Sequence, residues 1–301
     1  MNRKHFVLSS AVQKAIQENT PIVALESTVI AHGLPRPQNL ETAQRLEQVV
    51  GAGGATPATI AILSGKIHAG LTTEQIQYLA EAKGISKLST RDLPLALARQ
   101  LDGATTVATT SWIAHRAGIN VFATGGIGGV HRGTLPDVSA DLPQLASTPI
   151  VVVCSGAKIV LDLPATREWL ETNGVTVLGF RCDELPAFYS RRSGLPIDAR
   201  VDSAAEVAEI FRAQRDLEMP SALLVTVPVP SQFEVPSATL GAILDEALHA
   251  ADKQKVGGRD LTPFLLARMA QQSEGATLRA NIALLENNAR VAAEIAVAMS
   301  E

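Results

Sequence analysis

The feature that most constrains this chain is the recurrence of short apolar runs, each ended by a polar or glycine-rich stretch and followed by a segment with helical spacing. The runs are Pro21 to Leu25, Val107 to Ala108, Val121 to Ala123, Ile150 to Cys154, Val175 to Phe180 and Ala222 to Val227. Runs this short and this apolar read as strands buried on both faces. Helical spacing fills Asn39 to Ala52, Thr73 to Ala82, Leu93 to Asp102, Ala165 to Asn173 and Ser203 to Leu217. Alternation of this kind predicts a three-layer α/β/α fold around a mixed, mostly parallel sheet. The last third changes character. Ser237 to Lys253, Thr262 to Gln272 and Thr277 to Ser300 all read as long helices that close over the sheet. Asp202-Ser203 and Thr262-Pro263 suit helix starts, and Gly174 and Gly275 suit helix ends. With no repeat, charge block or Ser/Gly linker, residues 1–301 are expected to form one domain.

Composition removes several functions. A net charge of −4 gives the surface no general attraction for nucleic acid or anionic membrane, so neither is an expected partner. Only 4% of residues are aromatic, which leaves little surface for stacking bases. No apolar run approaches the ~18 residues of a membrane span, and Met1 to Glu18 lacks a leader's apolar centre. Cys154 and Cys182 form neither a disulfide framework nor a CxxC pair, so the expected location is the reducing cytoplasm.

Chemistry concentrates where strands end. Pro21 to Leu25 runs into Glu26, Ser27 and Thr28, with His32 close behind. Beyond the carboxyl ends of strands in an α/β sheet, a carboxylate is placed for acid/base work, although a capping or solvated Glu reads equally well. His32 fits a histidine satisfied by backbone at a turn. Gly54 to Ile60 with Ser64-Gly65-Lys66, and Lys87 with Arg91 before a helix start, can each receive an anion; helix capping by Ser89, Thr90 and Asp92 explains the latter segment as well.

Gly125 to Gly133 holds five glycines in nine residues. It matches neither GxGxxG nor a P-loop, and is read either as a close backbone approach to a ligand or as a tight structural turn. Asp137 and Asp141 follow, four residues apart; they suit a hard divalent metal, or an acidic helix start. Finally, Ile150 to Cys154 leads to Ser155-Gly156-Ala157-Lys158. A lysine in an apolar setting can become nucleophilic, and a lysine snorkelling from a helix start is the alternative.

Taken in order, Ala24 to Thr28, Gly54 to Thr59, Lys87 with Ser89 and Arg91-Asp92-Leu93, Gly125 to Gly133 and Ser155 to Lys158 resemble the pseudouridine-5'-phosphate glycosidase family, also called indigoidine synthase A-like. Asp183 to Tyr189, Arg192-Ser193-Gly194, Gly258 to Leu266, Asn281 and Asn287-Asn288-Ala289 extend the resemblance over nearly the whole chain. The resemblance implies reversible cleavage of the carbon–carbon glycosidic bond of pseudouridine 5'-phosphate to uracil and ribose 5-phosphate. It implies Glu26 as proton donor, Lys158 as Schiff-base nucleophile, and Asp137 as ligand of a divalent metal, usually Mn²⁺. Lys87, Val107, Ser139, Ala140 and Asp141 fall on substrate-binding positions, Asn281 is the candidate reader of uracil, and a homotrimer is the implied assembly. Two departures stand out: Val227-Pro228 where the family often has Asn-Pro, and a short stretch between Gly133 and Asp137. Members can be fused to a sugar kinase, for which 301 residues leave no room. The rival classes are a pyridoxal-phosphate enzyme, which also pairs a lysine with a phosphate cup, and a sugar kinase, of which Gly257-Gly258-Arg259-Asp260 is a faint echo.

Overall fold

The computed structural model describes residues 3–133, 137–258 and 261–300. The short stretch 134–136 and the Arg259-Asp260 pair lie outside the described residues. Eleven strands are described: β1 (Phe6–Leu8), β2 (Ile22–Glu26), β3 (Thr56–Leu63), β4 (Lys66–Ala69), β5 (Ser86–Leu88), β6 (Gly103–Thr105), β7 (Val121–Ala123), β8 (Val151–Cys154), β9 (Thr176–Phe180), β10 (Ala199–Val201) and β11 (Leu223–Thr226). They join in the order β1-β4-β3-β2-β7-β8-β11-β9-β10, with β5 on β6 and β6 on β3. All pairs are parallel except β3–β4 and β3–β6, so the expected mixed, mostly parallel sheet is what forms. The central strands β2, β7, β8 and β11 are buried along their whole length. That explains why they read as continuous apolar runs and not as alternation.

The helices are α1 (Ser10–Glu18), α2 (Gln38–Ala52), α3 (Thr73–Glu81), α4 (Leu93–Ala98), α5 (Val107–Ala117), α6 (Asp141–Leu145), α7 (Leu163–Thr172), α8 (Ala204–Asp216), α9 (Ser237–Lys253), α10 (Leu261–Gln272) and α11 (Ala276–Ser300). One face of the sheet is covered by α11, which lies on β2, β7 and β8 and packs against α2 and α8; the other is covered by α5 with α6 beside it. The C-terminal helix thus closes over the sheet as expected. Its Leu284, Val291, Ala292 and Ile295 are fully buried.

Two local expectations need correction. Val107 and Ala108 belong to no strand: they open α5, because the Thr106 side chain accepts a hydrogen bond from the Thr109 amide and caps the helix there. The helix expected over Leu93 to Asp102 stops at Ala98, and Gln100 has φ +53°. Ser203, by contrast, caps α8 through the Glu206 amide, and Gly174 and Gly275 both have positive φ as expected.

The long β3 decides where the site lies. It pairs with β2 from Thr56 opposite Ile22 to Ile60 opposite Glu26, then continues past the end of β2. There β6 joins it antiparallel, with Ala104 opposite Ala61, and β5 lies beside β6. The overhang therefore brings Lys87, Thr106 and Val107 to the edge where Glu26 ends its strand.

Candidate functional site

A cavity of about 370 Å³ opens at that edge, lined by Glu26, Lys87, Val107, Asp137, Ser139, Ala140, Asp141, Lys158 and Asn281. Every site residue expected from the sequence is brought together here. Glu26 stands at the last position of β2 and is 8% exposed. Its Oε1 accepts a short hydrogen bond from the hydroxyl of Thr124, the first residue beyond β7. Burial raises the Glu26 carboxyl above its ordinary value of 4.5; the Lys158 charge, the Thr124 hydroxyl and the more distant Lys87 pull it back, while Asp141 pushes it further up. A carboxyl so placed can hold a proton well above the usual carboxylate range.

The Ser27-Thr28 pair fixes this strand end. Ser27 Oγ donates to the Ile60 carbonyl at 2.7 Å, Thr28 Oγ1 donates to the Thr105 carbonyl at 2.7 Å, and the Thr105 amide donates to Ser27 Oγ at 2.9 Å. These hydroxyls sew β2 to β3 and β6, so Glu26 and Val107 are set relative to each other by buried bonds.

Lys158 lies four residues beyond β8, in a turn and not on a helix. Its amide donates to the Ile127 carbonyl at 3.1 Å, and the Ile127 amide donates to Gly156 at 3.1 Å. The lysine loop is thus zipped to the glycine-rich loop. Those glycines permit close packing within the protein. A Cβ on Gly128 would lie 2.2 Å from Ser139 Oγ, one on Gly129 2.3 Å from Thr166 Oγ1, and one on Gly126 2.8 Å from the Phe188 ring. Gly156, at φ +80°, would place a Cβ 2.3 Å from the Pro186 carbonyl. Both readings of the glycines find support: packing leaves no room for a side chain at Gly126, Gly128 and Gly129, and Gly125, Gly126 and Gly128 also line the cavity.

Asp141 is 6% exposed. Its Oδ1 accepts from the Ala108 amide at 2.9 Å and its Oδ2 from the Gly128 amide at 2.8 Å, so the carboxylate ties the first turn of α5 to the glycine loop. Asp137, in contrast, is exposed on the cavity wall. Among the described residues no three His, Cys, Asp or Glu side chains come together as a ready metal cage. Opposite Asp137 in function lie Lys87, Ser89 and Arg91, which give one side of the cavity its basic and hydroxyl groups; the Ser89 amide is held by Asp92 at 2.9 Å. Leu266, Pro263 and Leu285 line the cavity from α10 and α11, with Asn281 as the amide among them.

Three lining or supporting residues escaped the sequence reading: Thr124 as the partner of Glu26, His131 on the wall, and Phe188, a buried ring at φ +62°. His32 also lines the cavity, from a π-helical turn at Val29–Gly33. The position of Thr124 just past a strand beside that of Glu26 was the available signal for the first; nothing local marks Phe188. Val227 is buried and its amide donates to Cys154, so the departure from Asn-Pro falls in the core next to β8.

Comparison with known proteins bears on the family and the fold. Residues 11–298 match the family described as Indigoidine synthase A like protein. A protein named pseudouridine-5'-phosphate glycosidase from Caldanaerobacter subterraneus subsp. tengcongensis is 50% identical over 98% of this chain and 96% of its own length. One of the same name from Staphylococcus aureus is 46% identical over 99% and 98%. Among solved structures, an indigoidine synthase A-like protein of Thermotoga maritima superposes with a TM-score of 0.92 at 36% identity, covering 100% of this chain and 98% of its own. The prealnumycin C-glycosynthase AlnA, solved in complex with ribulose 5-phosphate, gives 0.91 at 42% identity over 99% and 97%. The chain belongs to the indigoidine synthase A-like protein family.

Proposed function

We propose that this protein cleaves and remakes the carbon–carbon bond between uracil and ribose 5-phosphate in pseudouridine 5'-phosphate, with Lys158 as covalent nucleophile and Glu26 as proton carrier. The observation that carries this reading is the convergence onto one cavity of a buried, hydrogen-bonded carboxyl at the end of β2 and a lysine just beyond β8, two parallel strands with β7 between them, in a chain whose near-full-length relatives bear that enzyme name. The polarity of the cavity supports it. Lys87, Ser89 and Arg91 suit a phosphate dianion at one side, and Asn281 among leucines suits a flat base with hydrogen-bonding edges at the other. The C-glycosynthase neighbour was solved in complex with ribulose 5-phosphate, a pentulose phosphate of the same class as the sugar phosphate proposed here.

The chemistry follows from the leaving group. A carbanion at carbon 5 of uracil leaves poorly, so protonating a heteroatom does not suffice. In the bond-forming direction the Lys158 amine condenses with the C1' aldehyde of ring-opened ribose 5-phosphate and water departs. Carbon 5 of uracil adds to the resulting iminium and then loses its proton; the sugar's ring oxygen displaces the amine, closing the ring. Cleavage is the reverse. Glu26 takes and returns protons at the ring oxygen and at carbon 5. Val107, Ser139 and Ala140 hold the substrate, and Asp141 sets the loops that hold it.

Asp137 is the proposed ligand of a divalent metal, Mn²⁺ by the resemblance. A single exposed carboxylate fits a hard cation that keeps most of its waters, and does not fit a closed zinc-type cage. Such a cation supplies positive charge to polarise substrate oxygens. We further propose a homotrimer, as the resemblance implies, and a reducing cytoplasmic location, supported by two unpaired cysteines.

The direct test is incubation with pseudouridine 5'-phosphate and Mn²⁺ while uracil release is followed. Turnover supports the reading; no release with or without metal contradicts it. A reaction with another aglycone but not uracil would move the assignment toward the C-glycosynthase neighbour.

A further inference from the structure

One fully buried polar side chain has no part in the chemistry above. Asn288, on α11, is 0% exposed. Its Nδ2 donates to the Thr124 carbonyl at 2.9 Å, to Ser155 Oγ at 3.1 Å and, at 3.4 Å, to the Gly125 carbonyl. Ser155 Oγ in turn donates to Asn288 Oδ1 at 3.3 Å. Two main-chain carbonyls face the amide nitrogen, and carbonyls only accept, so the NH₂ end points at them; the Ser155 hydroxyl lies within reach of both the nitrogen and the oxygen.

The atoms so held are the first residues beyond β7 and β8. Thr124 carries the hydroxyl bonded to Glu26; Gly125 lines the cavity and its carbonyl also accepts from the Ser155 amide at 2.9 Å; Ser155 begins the four-residue run that ends in Lys158. On the helix, Asn281, Leu285 and Asn288 stand at i, i+4 and i+7, one face of α11. The first two line the cavity. One helical stripe therefore reaches the expected uracil end with Asn281 and the backs of both catalytic loops with Asn288.

We infer that Asn288 is a positioning residue for the reaction: it locks the loop carrying Thr124, and through it the Glu26 carboxyl, to the loop carrying Lys158, in register with the helix that presents Asn281. The inference rests on Glu26 and Lys158 being the catalytic pair. Reacting groups on two loops and a substrate contact on a helix must keep one geometry, and misplacement by ~1 Å costs on the order of 100-fold in rate. A buried primary amide is the one side chain of this size that gives two donors and an acceptor without charge.

Asn288→Leu, Asn288→Gln and Ser155→Ala are to be compared with wild type by steady-state kinetics on pseudouridine 5'-phosphate across pH, with folding checked by circular dichroism and melting. Glu26→Gln and Lys158→Arg are assayed alongside. Folded Asn288→Leu is expected to lose about 100-fold in kcat with KM changed less than about 3-fold. The pH limb set by Glu26 moves upward, since a displaced Thr124 no longer favours the ionised carboxylate against burial; Lys158, Lys87 and Asp141 are the other charges acting on it. Asn288→Gln, retaining the amide, recovers part of kcat. Should Asn288→Leu fail to fold, Ser155→Ala carries the test, with kcat reduced roughly 5-fold and KM unchanged. A folded Asn288→Leu with wild-type kcat, an unmoved limb, or Ser155→Ala at wild-type kcat overturns the inference. If Glu26→Gln and Lys158→Arg also turn over normally, the catalytic assignment itself has failed; if only they are dead, the positioning role alone is wrong.

Discussion

The two walls of the cavity are built on different principles. The inner wall consists of the ends of β2, β7 and β8 with α11 behind them; Glu26, Thr124, Ser155 and Asn288 there are at most 8% exposed and held by side-chain hydrogen bonds. The outer wall consists of the 87–91 segment, the Asp137–Ala140 run, in which Asp137 is exposed, and α10, and carries Lys87, Arg91 and the carboxylate proposed for a metal. Groups whose proton affinity must be tuned sit on the inner wall, where burial acts strongly. Groups that only need to grip a dianion or a hydrated cation sit on the outer wall, where water screens them and the ligand supplies the order. Substitutions on the inner wall should therefore change kcat; on the outer wall, loss of a basic group should chiefly weaken binding, and loss of the cation proposed at Asp137 should cost turnover.

The largest effect is expected at Lys158. Lys158→Arg keeps the positive charge but offers no free amine, so kcat should fall on the order of 10⁴-fold or more while substrate still binds, as seen by rate assay and by calorimetric titration. Near-normal kcat would break the comparison at its inner side. Glu26→Gln follows, with a loss of roughly 10²–10⁴-fold in kcat. The same variant carries a stability signature of opposite sign. Because folding raises this carboxyl above 4.5, its contribution to stability is present below that pH and is lost as pH rises through the folded value. Glu26→Gln should thus match wild type in Tm below about pH 4.5 and exceed it at neutral pH. A gap that shrinks toward neutral pH would show that the carboxyl is not held against its ionisation.

On the outer wall, chelation or Asp137→Ala should abolish measurable turnover without lowering Tm, since the side chain is exposed; full rate for Asp137→Ala in chelator would remove the metal from the site. The smallest effect is expected for Lys87→Ala. It should weaken pseudouridine 5'-phosphate by ~1–3 kcal/mol and the unphosphorylated nucleoside hardly at all. Equal losses would take Lys87 away from the phosphate.

The inner wall was also the legible one. Apolar runs ending in Glu26 and in Ser155 to Lys158 announce buried parallel strands with polar ends, and parallel pairing puts those ends on one edge. What the sequence hid depends on non-local pairing. Ser86–Leu88 and Gly103–Thr105 are three-residue strands with no periodicity, and they exist because β3 overhangs β2. Val107 looked like strand because the capping role of Thr106 is only evident once the strand is known to stop at Thr105. The glycines of 125–133 read equally as a ligand loop or a tight turn; that Gly126, Gly128 and Gly129 also have no room for a side chain depends on Phe188, Ser139 and Thr166, which the local sequence does not bring near them. Likewise Asp141 suited either a metal pair with Asp137 or an acidic helix start; it opens α6, and its two oxygens accept from the amides of Ala108 and Gly128. Spacing cannot distinguish a carboxylate turned inward from one turned to the cavity.

The most direct test of covalent catalysis from the inner wall is reductive trapping. Borohydride added during incubation with ribose 5-phosphate should leave one pentose phosphate bound irreversibly per chain, with the mass gain on the peptide that contains Lys158. The Lys158→Arg protein, treated alike, should gain none. An adduct on another lysine, or none under conditions that support turnover, would contradict the assignment of Lys158 as the nucleophile.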